Sequence, residues 1–326
     1  MIKPKHLVRY KDIGVLLVKH GRAGLSPADI GDGADEAAMR TDAEALAEEL
    51  EALGPTFVKL GQLLSTRADL LPPPYLQALS RLQDKVEPFP FEDVERIVST
   101  ELGVRLSKGF GSFDEQPLAA ASLGQVHRAT LRDGRQVAVK VQRPNIRAQI
   151  VDDMDAIENI AQFADSHTRT GRQLGFADMV TEFRRSLMAE LDYRQEAANL
   201  QKLGHNLERH ERIVVPQPVP DYTSSLVLTM DYIPGRNIGA LGPLALMEID
   251  GHELAEQLFS AYLDQILVDG FFHADPHPGN VLLTDDGRLA LLDLGMVGRI
   301  APEMQDSLVK LLLAVSEGHG QEVADI

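Results

Sequence analysis

Between Asn280 and Asp293 the residues VLLTDDGRLALL leave the backbone little choice: two short apolar runs flank Asp285, Asp286 and Gly287, which favour a tight reversal. The midpoint of 280 and 293 falls inside that turn, so a hairpin centred there sets Asn280 and Asp293 side by side at its open end. Two oxygen ligands with almost no protein between them suit a hard cation such as magnesium. Just upstream, Pro276 and Pro278 keep HADPHPG out of helix, and Gly279 permits close backbone approach, which holds Asp275 at the same rim. A carboxylate there can act as general base or orient a hydroxyl nucleophile. Two other readings stand beside this one. One is an HxDxH zinc or manganese site built from His273, Asp275 and His277, as in a metal-dependent hydrolase; the other is an acidic surface hairpin with a satisfied core histidine.

The remainder of the composition narrows the chemistry. A length of 326 residues allows one large domain or two modest ones. The formal net charge of −17 argues against nucleic acid as a partner, because a phosphate backbone would be repelled. Positive charge gathers at the start, where Lys3, Lys5, Arg9, Lys11, Lys19 and Arg22 face Asp12 alone, a net +5 that leaves −22 for everything after it. With Ile13, Val15, Leu16, Leu17 and Val18 interleaved, this segment reads either as a basic amphipathic helix on an anionic membrane surface or as a first helix packed on the domain. No uncharged apolar run reaches the roughly 18 residues of a transmembrane helix, and no signal-peptide pattern opens the chain. Without cysteines, thiol catalysis, thiolate metal sites and disulfides are excluded. Function rests on carboxylates, lysines and histidines.

Up to about residue 108 the pattern is helical, with GPTFVKLGQLLSTRADL as one helix and PPPYLQALSRLQD as the next. From Phe110 to Val141 the period changes to two, and QVHRATL and RQVAVKVQ form a hairpin around Asp133 and Gly134. Val137, Val139 and Val141 share one face of its second strand, leaving Ala138 and Lys140 on the other. A lysine inside a valine strand needs an anion, either a phosphate or a helix carboxylate. Helix resumes after Pro144 and includes TEFRRSLMAELDYRQEAANL, where Phe183, Leu187 and Leu191 mark a buried stripe. Asp192 and Glu196, one turn apart there, repel each other and invite a cation between them. The strand SSLVLTMDYI follows, and then the amphipathic helix GHELAEQLFSAYLDQILVDG, closed by Gly270, delivers the chain to the hairpin.

VAVK, HADPHPGN and DLG resemble, in order, the lysine strand VAIK, the catalytic loop HRDxxxxN and the DFG metal motif of protein kinases. Together with GPTFVKLGQ, AAASLGQVH and ELDYRQEAAN they resemble the UbiB/ADCK (AarF-like) family of atypical kinase-like proteins over roughly residues 50 to 300. The resemblance implies an α+β, two-lobed kinase-like fold preceded by a helical extension. Residues 1–108 would form the extension with the KxGQ motif, 109–233 the N-lobe with a helical insertion, and 234–326 part of the C-lobe. It implies ATP or ADP with Mg2+ or Mn2+ as cofactors. Lys140 would hold the inner phosphates and pair with Glu196, Asn280 and Asp293 would ligate metal, and Asp275 would be the catalytic-loop acid. In the glycine-loop position, PLAAASLGQVH keeps Gly124 and Val126 but has Ala119 and Ala121 for the first two glycines, which stiffens a phosphate-covering loop that also includes Ala120 and Ser122. Met230 would be the gatekeeper of a hinge whose backbone at Asp231, Tyr232 and Ile233 bonds adenine. KxGQ corresponds to Lys59, Gly61 and Gln62, with Lys59 and Gln62 on one helix face among the catalytic residues, and ExD corresponds to Glu190 and Asp192.

Departures from the kinase pattern matter equally. Ala274 stands where HRD has arginine, and five residues separate Gly295 from Ala301, Pro302 and Glu303, so there is no room for an activation segment. Protein substrates in trans are disfavoured. The resemblance therefore implies an ATPase, or phosphotransfer to a small molecule or lipid, serving isoprenoid quinone (ubiquinone) metabolism in the cytoplasm at a membrane surface. Its partners would be an anionic lipid or a quinone precursor. The chain also reads as stopping short of a complete C-lobe, the missing part being the place for a membrane anchor. Rival readings are an aminoglycoside-type small-molecule kinase and a nucleotide-binding scaffold or lipid chaperone with little turnover.

Overall fold

The computed structural model describes residues 4–20, 36–82, 86–168, 171–172, 175–242 and 250–325. Its helices in chain order are α1 (Pro4–His20), α2 (Glu36–Leu53), α3 (Pro55–Ser65), α4 (Pro73–Leu79), α5 (Phe91–Leu102), α6 (Leu106–Gly109), α7 (Ile146–His167), α8 (Phe176–Glu190), α9 (Tyr193–Asn206), α10 (Gly251–Leu267), α11 (Pro302–Glu317) and α12 (Gly320–Asp325). The strands are β1 (Phe110–Phe113), β2 (Ala119–Ala120), β3 (Gly124–Leu131), β4 (Gln136–Gln142), β5 (Ile213–Val214), β6 (Val227–Asp231), β7 (Gly235–Asn237), β8 (Phe271–His273), β9 (Val281–Thr284), β10 (Leu289–Leu291) and β11 (Val297–Arg299). The mixture is the expected α+β class. Two compact units form, one from Met1–Asp93, Pro117–Gln125 and Gln142–Leu191, the other from Val94–Gln116, Val126–Val141 and Asp192–Ile326. β3 and β4 each begin in one unit and end in the other.

The first unit is mainly helical, and its core includes Leu50, Phe57, Leu79, Ile150, Met154 and Leu187. Phe183, Leu187 and Leu191 are buried, as the helical stripe requires. α1 packs on the unit: Ile13 is buried, Arg9 Nε sits 2.8 Å from Asp153 Oδ1, and Thr56 Oγ1 donates to Asp153 Oδ2 at 2.7 Å. Burial pushes the Asp153 carboxyl up, against the pull of Thr56 and Arg9. Lys3 and Arg22 lie outside the described residues. α3 is shorter than its sequence pattern, because at Thr66 the backbone N–H turns back to Leu63 O at 3.2 Å and the hydroxyl joins it at 2.8 Å. α4 likewise ends at Leu79, short of the PPPYLQALSRLQD pattern.

In the second unit one sheet runs β1-β3-β4-β6 and another runs β5-β10-β9-β7, while β8 pairs β11. β4 is antiparallel to β6 in the register Val137↔Asp231 through Val141↔Val227. Val137, Val139 and Val141 are fully buried, as the alternation requires. Gly134 closes the β3–β4 turn at φ +92°, with its N–H on Leu131 O at 3.0 Å. α10 begins at its Asp250 cap, whose carboxylate takes the His252 and Glu253 N–H groups. Residues 297–299 form β11 against β8, and α11 starts at Pro302, so the short stretch after DLG is spent on a strand pair and a helix start.

Candidate functional site

The β9–β10 hairpin forms as its turn residues dictate, with Leu289↔Leu283 and Leu291↔Val281 in register and Gly287 at φ +81°. That register centres the turn on Asp286, half a residue before the midpoint expected from the sequence. Leu292 therefore lies across from Asn280, its N–H donating to Asn280 O at 2.8 Å, and Asp293 is the next residue along. Asn280 and Asp293 thus both lie at the open end of the hairpin. Asn280 Nδ2 donates to Asp275 Oδ2 at 3.0 Å and to Asp275 O at 3.2 Å, so the amide nitrogen is spent on Asp275 and the amide oxygen is the atom that could hold a cation. Asp293 adopts φ +52°, a left-handed conformation that a β-carboxylate tolerates better than most side chains, and its Oδ1 accepts the Gly295 N–H at 3.2 Å.

Lys140 reaches this carboxylate from β4. Its Nζ lies 3.0 and 2.9 Å from the two Glu196 oxygens and 3.3 Å from Asp293 Oδ2. Burial works against the ammonium charge, but Asp293 and Glu196 outweigh it and hold Lys140 well above the ordinary lysine range. The Tyr193 ring lies 5.3 Å from the same Nζ. Glu196 is only 4% exposed, so the lysine brings a positive charge to a buried carboxylate.

Asp192 and Glu196 each meet a cation. The helix breaks after Leu191, Asp192 becomes the N-cap of α9, and its carboxylate takes the Arg194 N–H at 3.2 Å together with Arg194 Nε and Nη2 at 2.9 and 2.8 Å. Asp192 takes Arg194 and Glu196 takes Lys140, so the two carboxylates are satisfied by separate cations.

The catalytic loop is tied from below. Gln265 of α10 accepts the His273 N–H at 3.0 Å, His273 Nδ1 accepts the Asp275 N–H at 3.0 Å, and His273 Nε2–H donates to Leu292 O at 2.9 Å. This buried imidazole links the Asp275 loop to the strand end that carries Asp293. Both its nitrogens are used, so the HxDxH metal-ligand reading loses its first histidine, while His277 Nδ1 accepts the Gly279 N–H at 3.0 Å. Asn199 Nδ2 donates to Leu294 O at 2.9 Å and steadies the DLG turn. Tyr262 of α10 buries its hydroxyl, and burial, with help from Asp275, pushes that phenol up to about 12. Sequence reasoning passed over Gln265, Asn199 and Tyr262. The available signal was a polar side chain on the inward stripe of an apolar helix, of which Gln265, fully buried beside Ala261, is the clearest case.

At the hinge, Met230 is buried at 8% exposure, the Asp231 N–H donates to Gln217 O at 3.0 Å and the Tyr232 N–H donates to Gln136 O at 3.2 Å. Ile233 follows them in the coil that leads to β7. The alanine loop, in the first unit, turns tightly: the Ala121 N–H donates to Gly124 O at 2.8 Å, and Ser122 is buried. Ala119 and Ala120 form β2, and Val126 sits two residues into β3. Also in the first unit, Lys59 Nζ pairs with Glu190 Oε1 at 2.8 Å, bringing KxGQ and the glutamate of ExD together. Gln62 Nε2 donates to Leu82 O at 3.2 Å.

Comparison with known proteins gives a consistent result. Protein ACTIVITY OF BC1 COMPLEX KINASE 8, chloroplastic, from Arabidopsis thaliana is 41% identical over 276 residues, covering 83% of this chain and 36% of that protein. A probable protein kinase UbiB from Marinobacter nauticus is 38% identical over 281 residues, covering 85% of this chain and 51% of that one. The chain thus spans about half the length, or less, of these curated relatives. Among solved structures, the complex of Rv3197 with erythromycin from Mycobacterium tuberculosis aligns at a TM-score of 0.59 and 29% identity, covering 89% of this chain and 73% of that one, and the fold is kinase-like. The model of the ABC1 atypical kinase-like domain matches residues 81–326. Because Lys140, Glu196, the Asp275 loop and Asp293 all fall inside that span in the order and contacts described above, the chain belongs to the ABC1 atypical kinase-like family.

Proposed function

We propose that this protein binds an adenine nucleotide with magnesium and cleaves or transfers its terminal phosphoryl group, acting on water, a small molecule or a lipid in support of isoprenoid quinone metabolism at a membrane. The observation that carries this reading is Lys140 held between Glu196 and Asp293, beside an Asn280 that already anchors Asp275. Glu196 fixes the lysine in place, so that its ammonium can take the inner phosphates while Asp293 is released to a cation. The oxygen donors of Asn280 and Asp293 fit a hard divalent ion, which when bound neutralises the phosphate oxygens.

Asp275 is placed to accept the proton of the attacking hydroxyl as its oxygen bonds the terminal phosphorus and the bridging P–O bond to the diphosphate breaks. Met230 and the main chain from Asp231 through Tyr232 to Ile233 take the base, apart from the Asp231 and Tyr232 N–H groups, which are spent on Gln217 and Gln136, and Ala119, Ala120, Ala121, Ser122, Gly124 and Val126 are assigned to the phosphate-covering segment. Lys59, Gln62 and Glu190 act as a family-specific element of the helical extension, the first two as catalytic residues. The membrane part rests on α1, whose inward Ile13 packs on the domain while Lys11, Val15 and Lys19 are exposed. Among the described residues no helix is long and apolar enough to cross a bilayer.

Phosphate release from Mg-ATP by the purified chain, with and without anionic liposomes, tests this. Wild type should turn over and accelerate on liposomes while Asp293→Asn is inactive; turnover that survives Asp293→Asn would remove the site from the reaction.

A further inference from the structure

One arrangement at the hinge is used neither by the phosphate residues nor by the metal residues. Alternation along β3 buries Gln125, His127 and Ala129 and turns Val126, Arg128 and Thr130 to the other face. The Arg128 guanidinium carbon lies 4.6 Å from the centre of the Tyr232 ring. Its Nη2 donates to Gln136 Oε1 at 2.8 Å, and the main-chain oxygen of the same Gln136 accepts the Tyr232 N–H at 3.2 Å. One glutamine thereby holds both the guanidinium and the hinge backbone. The nearby Asp231 does not neutralise Arg128, because its carboxylate takes Arg135 Nε at 2.8 Å and the Gln217 N–H at 3.2 Å. A guanidinium with one donor spent, laid against an aromatic ring beside the hinge, still presents a cationic face and further N–H groups.

We infer that Arg128 is a base-recognition residue. Together with Tyr232 it forms the outer edge of the site for the purine ring, on the β3 face that also carries Val126. This rests on the nucleotide reading above and deepens it by assigning recognition of the base, as distinct from the phosphates, to a particular side chain. The physical basis is attraction of a planar, weakly hydrated cation to the π face and ring nitrogens of the base. The phosphates are left to Lys140 and the metal residues.

The test is calorimetric titration of wild type, Arg128→Ala and Arg128→Lys with two probes, Mg-ATP and Mg-tripolyphosphate. Arg128→Ala should weaken Mg-ATP about fivefold, in the range of a partly exposed cation–π contact, and leave Mg-tripolyphosphate within about twofold of wild type. Arg128→Lys, which keeps the charge but loses the plane, should fall between. Equal Mg-ATP affinity in wild type and Arg128→Ala overturns the assignment. So does an equal loss for both probes, since the arginine would then be acting on the phosphates or on the fold. A wild type that binds neither probe overturns the nucleotide reading itself, which separates the two failures.

Discussion

Two lysines in this protein are equally buried and each is paired with a glutamate, yet their surroundings differ. Lys140 and Lys59 are both 17% exposed, and their glutamates, Glu196 and Glu190, are 4% and 19% exposed. Lys140 sits on a strand and has a second carboxylate, Asp293, which is 49% exposed and held in a left-handed conformation at the end of a hairpin. Lys59 joins one helix to the end of another inside an apolar helical packing. An ion pair with an exposed third member can trade that member for a ligand. An ion pair between helices also fixes how they pack, whatever chemistry its lysine performs.

The sharpest way to break this contrast is Lys140→Ala. It leaves Glu196 buried without its cation, so unfolding in urea should show a loss of about 3–5 kcal/mol, and phosphate release should vanish as well. A stable variant would mean that Glu196 finds water or protonates, and the two lysines would then be alike. Next in size is Gly61→Ala, in the KxGQ helix. A Cβ there would stand 2.3 Å from Leu82 Cδ1 and 3.1 Å from Leu50 Cδ1, so overpacking should cost about 1–3 kcal/mol in the same urea experiment.

Lys59→Ala sharpens the comparison from the other side. With Glu190 nearer to solvent than Glu196, its loss should destabilise by about 1–2 kcal/mol, clearly less than Lys140→Ala. Equal losses at the two sites would show that the difference in glutamate burial does not set the cost. Smallest is Tyr75→Phe, which removes the hydroxyl donating to Asp42 Oδ2 at 2.5 Å and should cost about 1 kcal/mol by thermal unfolding.

That last effect carries a pH signature. Burial raises the Asp42 carboxyl, but hydrogen bonds from Tyr75 and His20 outweigh it and hold the folded value below the ordinary 3.8. A depressed carboxylate contributes stability above its unfolded value, lost as pH falls through the folded one, so Tyr75→Phe should differ from wild type at neutral pH and converge with it in acid. Lys140 has the opposite sign: its folded value is raised, so its contribution is complete throughout neutral pH and is lost only as pH climbs above 10.5 through the folded value.

How far the sequence could be read follows from the range of the interactions. Both hairpins were legible because their turns are local: Asp133–Gly134 and Asp285–Gly287 impose the reversal, and two-residue alternation sets the faces. The hairpin centre was off by half a residue because Leu292, rather than Asp293, closes the ladder opposite Asn280. Helix ends were less legible, since α3 stops at Ser65 by a turn-level hydrogen bond although its apolar pattern continues. That Asp192 caps a helix, bonded to Arg194, while Glu196 takes Lys140 was not legible, because periodicity carries across a break that only the capping geometry of Asp192 reveals.

The sequence by itself determined the order of elements, the residue types at the candidate site and the kinase-like class, because turn chemistry, hydrophobic period and motif order all act within a few residues of chain. Only the tertiary structure decided which of those residues meet. Lys140 finds Glu196 56 residues away and Asp293 153 residues away, and His273 joins Asp275 to the strand end of Leu292 through its two ring nitrogens. Such meetings depend on how buried charge and buried polar atoms are satisfied across the packed core, and no local pattern in the chain encodes them.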